Sequence, residues 1–293
     1  DAEHIDFWGS YIKLTDAFVE FCSRVPFYGV SVLCLDHPHV QTILPRLSGR
    51  YVTYGLSPQA DFHARGVRHR GLTTVFNAYR RGEPLGGFSL NMPGEHNVLN
   101  CLAAIAVADE LAVPLDVTKK ALATFGGVGR RFTVVAETGG VTLVDDYGHH
   151  PAEIRATLEA ARSAFPADDH RIVVAFQPHR YTRTRDLFDE FIGAFLQSDR
   201  LVMCDIYAAG EAPIDGVSSR ALVEAIRKHG HSGVELVSAR GDIAARLAQL
   251  VRKGDVVIAL GAGDINRSLQ ELEELLADAP PPARESLLGQ EGP

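Results

Sequence analysis

The chain has 293 residues, 46% hydrophobic and 23% charged, and its 29 basic and 37 acidic side chains leave a net charge of -8. That length favours two domains over one, and the composition is ordinary for a globular protein with a real core. The acidic balance withholds general electrostatic support from a nucleic-acid partner, and no run of about 18 apolar residues or opening signal-peptide pattern points to a membrane or to secretion.

Cys22, Cys34, Cys101 and Cys204 are scattered through apolar settings without a CxxC spacing, which predicts buried free thiols in a reducing, cytoplasmic compartment. The chain opens at Asp1, without Met, on what reads as mid-domain sequence, so the expectation is the later portion of a longer protein. Apolar spacing predicts an amphipathic helix over 11–23 and a buried strand over 28–35. A short helix over 39–47 and a strand over 51–54 follow. Residues 60–92 alternate polar and apolar with glycine breaks, the pattern of antiparallel strands joined by turns. Pro93-Gly94 ends that run; helices are expected over 96–111 and 115–124, and Gly126-Gly127-Val128-Gly129 breaks the second of them. Beyond it, apolar strands over 141–144, 171–176, 201–204, 234–237 and 256–260 alternate with helices over 151–164, 183–197, 218–229, 242–251 and 266–276. That alternation predicts βαβ units in a largely parallel sheet covered on both faces. The domain boundary falls between residues 131 and 132, and the polar, proline-rich tail over 280–293 reads as disordered.

In open α/β sheets, ligands bind where strands lead into helices at their carboxyl ends. Three such loops are chemically dense. The first is Asp145-Asp146-Tyr147-Gly148-His149-His150-Pro151, where Asp146 is placed to accept from ribose hydroxyls and His149 to hold a polar substrate. The bland alternative has an Asp capping the helix and both imidazoles solvated. The second is Gln177-Pro178-His179-Arg180-Tyr181-Thr182-Arg183-Thr184-Arg185. Arginines at a helix start oppose the dipole, and that cost argues for carboxylate or phosphate binding through Arg180 and Arg183, with Arg185 left to pair with Asp189. The third, Gly261-Ala262-Gly263-Asp264, is a lone GxG and reads as a tight turn with close backbone approach. Earlier in the chain, Asn97 and Asn100 lie three apart on one helix face, where their amides either read an adenine edge or cap the helix. Arg130-Arg131 either reach phosphates or brace the boundary through ion pairs. No GxxxxGK[ST], HExxH or GxSxG occurs.

Taken together, the segments EHID (3–6), MPGEHNVLN (92–100), GVGRRF (127–132), DDYGHHP (145–151), QPHRYTRTRDL (177–187) and GAGDI (261–265) resemble the Mur ligase family along nearly all of residues 1–276, and within it the alanine-adding branch. The fold this resemblance implies is α/β: residues 1–131 form the second part of the central ATP-binding domain, without its phosphate loop, and residues 132–279 form a Rossmann-like, mostly parallel carboxyl-terminal domain. The missing partners are then the amino-terminal domains of the same enzyme. The implied chemistry is ATP-dependent joining of L-alanine to UDP-N-acetylmuramate through an acyl phosphate, in peptidoglycan precursor synthesis, with Mg2+. By the same resemblance His4 ligates magnesium, Asn97 and Asn100 contact adenine, Arg131 the terminal phosphate and Asp146 the ribose. Tyr147, His149, His179, Arg180 and Arg183 surround alanine and the muramoyl carboxylate, with Arg131 and His149 nearest the chemistry. Without a phosphate loop, the 293 residues by themselves are expected to be inactive. The competing expectations are a non-catalytic nucleotide- or anion-binding module and a Rossmann-type dehydrogenase, the latter weakened by the missing third glycine.

Overall fold

The computed structural model describes residues 5–279 and 281–282; His4 and the tail from residue 283 lie outside the described residues. The chain divides into two compact units, Asp1–Gly126 and Gly127–Pro293, which places Arg130 and Arg131 in the second.

The first unit opens with α1 (Ile5–Trp8) and α2 (Tyr11–Ser23), the latter capped by the Ser10 hydroxyl, which accepts from the Lys13 N–H. Then come β1 (Ser31–Cys34), α3 (Pro38–Ile43) with a 3-10 turn over Leu44–Arg46, β2 (Tyr51–Gly55), β3 (Phe62–Arg70), β4 (Thr73–Arg80) and β5 (Glu83–Leu90). The strands form one sheet in chain order; β1, β2 and β3 run parallel, and β3, β4 and β5 form an antiparallel meander. Helices α4 (Glu95–Glu110) and α5 (Leu115–Thr124) follow. Val98, Leu102 and Ile105 of α4 share a core with Phe62, Phe76, Phe88 and Leu90 of the sheet, and the period-2 alternation of the strands is what supplies that apolar face. The strand expected over 28–35 is shorter and only half buried, because β1 is the sheet's edge and covers less than an interior strand does.

The second unit is a doubly wound sheet. Strands β6 (Thr133–Thr138), β7 (Val141–Asp146), β8 (Ile172–Phe176), β9 (Arg200–Met203), β10 (Val234–Leu236) and β11 (Val256–Leu260) lie in the order β10-β9-β8-β11-β7-β6. All pairings are parallel except β6 with β7. Helices α6 (Pro151–Ala164), α7 (Tyr181–Asp186), α8 (Phe188–Ile192), α9 (Ser219–Lys228), α10 (Ile243–Leu250) and α11 (Arg267–Asp278) connect them. Alternate strand residues feed two cores. Val144, Val174, Phe176, Met203 and Ile258 pack with Ile154, Phe191 and Leu222 from α6, α8 and α9. Leu143, Val173, Val202 and Val257 pack with Leu247 and Leu272 from α10 and α11 on the other face. Two apolar faces explain why these strands read as nearly unbroken hydrophobic runs.

Three sequence expectations change here. The antiparallel β6 was absent from them, since Thr133–Thr138 is only half buried along an edge and carries a weak apolar signal. The single helix over 183–197 is two short helices broken at Leu187, with α7 starting earlier at Tyr181. The helix over 242–251 starts only at Ile243, after a 3-10 turn over Arg240–Asp242. Among the described residues no helix is long and apolar enough to cross a membrane.

Candidate functional site

Strand β11 enters the sheet between β7 and β8, so the chain leaving β7 crosses to one side of that gap and returns to fill it last. A crevice forms at the carboxyl ends of strands where connections part in this way. The ends meeting here are Asp146 of β7, Phe176 of β8 and Leu260 of β11, which are in register with one another. The three chemically dense loops follow directly from these residues.

In the loop after β7, Asp146 points inward and is 4% exposed. Its Oδ2 accepts the Phe132 N–H at 2.8 Å and its Oδ1 the Gly148 N–H at 2.7 Å. Burial pushes its carboxyl up, against those backbone bonds and Arg131. Asp146 therefore ties the start of β6 to this loop. The helix cap belongs to neither aspartate: His150 Nδ1 accepts the Ala152 N–H at 3.2 Å, and Glu153 Oε2 accepts the backbone N–H groups of His149 and His150 in a capping box. His149 and His150 are buried rather than solvated. His149 Nδ1 lies 2.9 Å from the Tyr147 carbonyl oxygen, which orients its ring. Burial works to raise Glu153, but the His149 N–H, the His149 ring, Arg131 and the His150 N–H together hold it below the usual carboxylate range.

Arg130 and Arg131 lie beside this loop. Both guanidinium groups lie over the Tyr147 ring, at 4.9 and 5.7 Å from its centroid. Arg131 also pairs with Glu153 at 3.2 Å. Arg130 donates to the Gly261 carbonyl at 2.7 Å and sits 3.5 Å from Asp145. Burial pushes the Asp145 carboxyl up, with Arg130 and Asn266 pulling it back, and its Oδ1 is buried without a hydrogen-bond partner.

In the loop after β8, His179 stands 5.9 Å from His149, edge to face, and stacks on Tyr207 with ring centroids 5.3 Å apart and 10° between planes. Burial, His149, Arg183 and Arg180 lower its pKa to about 4, against a smaller upward pull from Glu211, so the imidazole is neutral at neutral pH. Arg180 has a left-handed φ of 72°, a strained value for a residue with a Cβ. The dipole conflict raised by the sequence is relieved from elsewhere in the chain. Glu211 accepts the Thr182 N–H at 3.0 Å and its hydroxyl at 2.7 Å, and lies 3.7 Å from Arg180. Arg185 pairs with Asp186 at 2.7 Å instead of with Asp189. Sequence reasoning missed Tyr207, Glu211 and Gln177. The first two sit in a loop after β9 that the sequence does not mark as dense, and Gln177 opens the second dense loop without being given a role there.

The glycines after β11 make the close approach expected of them. A Cβ on Gly263 would lie 2.7 Å from Gln177 Oε1 and 3.2 Å from the Tyr207 ring. Gly261, at φ 151°, leaves 3.1 Å to the Gln177 carbonyl oxygen.

Asn97 and Asn100 belong to the first unit. Asn97 is buried, donates to the Pro93 carbonyl at 2.8 Å, and accepts a 3.4 Å bond from Asn100. The N-cap of α4 is Gly94, without a side-chain bond, so the pair does not cap the helix in the ordinary way. His4 lies outside the described residues. Among the described residues no three His, Cys, Asp or Glu side chains converge where a metal ion could sit.

Family comparisons agree with this architecture. Residues 1–108 match the Mur ligase middle domain, and residues 130–263 match the Mur ligase glutamate ligase domain. The chain belongs to the Mur ligase family. It is 65% identical over 282 residues to the UDP-N-acetylmuramate–L-alanine ligase of Sorangium cellulosum and 54% identical over 280 residues to that of Myxococcus xanthus; each match covers 96% of this chain. The chain spans about 60% of the length of these curated relatives. Among solved structures it is similar to UDP-N-acetylmuramate-alanine ligase from Thermotoga maritima, with a TM-score of 0.73 and 25% identity over 95% of this chain and 58% of that one. A MurF ligase from the same organism, in complex with ADP, shares the fold at a TM-score of 0.74 and 22% identity, covering 94% of this chain and 60% of that one.

Proposed function

We propose that this chain carries nucleotide- and amino-acid-binding residues of a cytoplasmic, ATP-dependent ligase that joins L-alanine to UDP-N-acetylmuramate in peptidoglycan precursor synthesis. The observation that carries the reading is the meeting of Tyr147, His149, His179 and Arg180 at the β7/β8 parting, in a chain 65% identical to a ligase of that name. ATP would phosphorylate the muramoyl carboxylate, and the alanine amine would displace phosphate from the resulting acyl phosphate. The demands of that reaction are anion neutralisation and positioning. Arg180 and Arg183 suit the alanine carboxylate, because guanidinium groups grip a planar carboxylate with paired donors. His179, neutral at neutral pH, adds no charge that would repel the amine. His149 shares that wall, and its Nδ1 is held by the Tyr147 carbonyl. Arg131 suits the terminal phosphate, already held beside Tyr147 and Glu153. Asp146, although it already accepts from Phe132 and Gly148, is the carboxylate that the family resemblance gives to the ribose, and Asn97 and Asn100 are the amides for adenine. His4 remains the magnesium ligand that the family resemblance implies; magnesium would neutralise phosphate charge.

A second reading, a binding module without turnover, is favoured by one feature: the sequence holds no GxxxxGK[ST] phosphate loop. One experiment separates the two. The 293-residue chain is assayed by itself, and also in place of the matched segment of the Sorangium cellulosum ligase. The expected result is ADP release that requires both alanine and UDP-N-acetylmuramate in the chimaera, and none from the chain alone. A folded but silent chimaera would leave only the binding module standing.

A further inference from the structure

Tyr207 has no role in the reaction as described above, yet two loops of the site, those after β8 and β11, meet at it. Its N–H donates to the Pro178 carbonyl and its carbonyl accepts from the Arg180 N–H, both at 2.8 Å, so its backbone brackets His179 in an isolated parallel bridge. Its ring lies against the imidazole, nearly coplanar in tilt, while the edge-to-face ring of His149 meets His179 at 5.9 Å. His179 Nδ1 is buried and has no hydrogen-bond partner. At that nitrogen nothing polar fixes the ring, which leaves its orientation to packing. Tyr207 is in turn seated by the third loop, where Gly263 brings its α-carbon so close that a Cβ would stand 3.2 Å from the phenol ring.

We propose that Tyr207 is a positioning residue, whose ring sets the orientation of His179 and shields it from water for turnover. The proposal rests on the ligase reading for its catalytic consequence, but the orientation itself does not. Stacked aromatic rings prefer a narrow range of geometries, so the contact transmits direction as well as burial. A leucine at 207 would keep the backbone bridge and lose the flat surface. A phenylalanine would keep the ring and lose only the hydroxyl.

Two readouts test this. In the 293-residue chain, the ring titration of His179 is followed by NMR in wild type, Tyr207→Phe and Tyr207→Leu. The groups facing that imidazole are His149, Arg180, Arg183, Glu211 and Tyr207 itself, and only the last is changed. The titration should stay near 4 with Phe and move up towards the ordinary value with Leu, as water reaches the ring. In the chimaera, Tyr207→Leu should lower kcat by about 10- to 100-fold with the KM for ATP unmoved, and shift the acid limb of the pH profile upward. Tyr207→Phe should stay within about twofold of wild type. An unmoved titration in Tyr207→Leu overturns the proposal, as does a shifted titration with undiminished turnover, or equal losses in Phe and Leu. A wild-type chimaera without turnover sinks the ligase reading instead, and the titration by itself then decides whether Tyr207 orients His179.

Discussion

The two ends of the second unit's sheet handle buried charge in opposite ways. At the amino ends of β8 and β11, Arg171 grips Asp255 through two bonds of 2.9 and 2.6 Å, and its Nη2 also reaches the Leu250 carbonyl. Asp255 is fully used as well, taking the Arg252 N–H at 2.8 Å. At the carboxyl ends of β7 and β8, Asp145 Oδ1, Gln177 Oε1, His179 Nδ1 and Arg130 Nε are buried without hydrogen-bond partners. A buried polar atom left unpaired costs about 1–3 kcal/mol, so the cluster at the carboxyl ends is a standing expense that the Arg171–Asp255 pair does not carry. At the Arg171–Asp255 pair the valences are closed, and at the carboxyl ends several stay open, as a site that awaits a ligand would leave them.

The largest effect should come from breaking the closed end. Asp255→Ala leaves the Arg171 guanidinium without its partner and should lower unfolding free energy by about 3–5 kcal/mol in urea denaturation. The opposite end should respond in reverse. His179→Gln, which removes no hydrogen bond at Nδ1, should cost less than about 1 kcal/mol of stability, yet lower chimaera turnover by about 10- to 100-fold. A large stability loss there would show that the open valences are structural after all. A smaller change is expected at Glu211, the acid that reaches the start of α7 from another loop. Glu211→Ala should cost about 1 kcal/mol in urea denaturation, as for a lost helix cap, and, on the proposed ligase reading, raise the chimaera's KM for alanine by loosening Arg180. A further effect concerns pH. His179 is depressed to about 4 in the fold, while an unfolded histidine titrates near its ordinary value of about 6.5. Between those values the unfolded chain binds the extra proton, so the group's contribution is whole above about pH 6.5 and is lost as pH falls through 4. Denaturant midpoints measured across that window should decline less in His179→Gln than in wild type.

Much of this was legible in the sequence, and the misses share a cause. The strands of β7, β8 and β11 are apolar on both faces and short, so their existence and their dense following loops could be read directly. Edge strand β6 could not, because half-buried alternation over six residues is a faint signal. Leu187 interrupts α7 and α8 without any proline or glycine to mark the break. Within the site, Tyr147, His149, His179 and Arg180 were visible as local crowding. Tyr207 and Glu211 are spread along their loop, and only the β8–β9 pairing brings them to His179 and Thr182.

The sequence by itself determined the chemistry available and the loops that carry it, since motif spacing and strand-to-helix alternation are local properties of the chain. Tertiary structure decided which of those groups are spent. Asp146 reads as an open carboxylate until Phe132 and Gly148 are seen to donate to it, and His150 reads as a titratable side chain until it caps α6. The physical reason is that a polar atom's availability depends on partners set by folding, and those partners come as readily from 14 residues away as from the next turn.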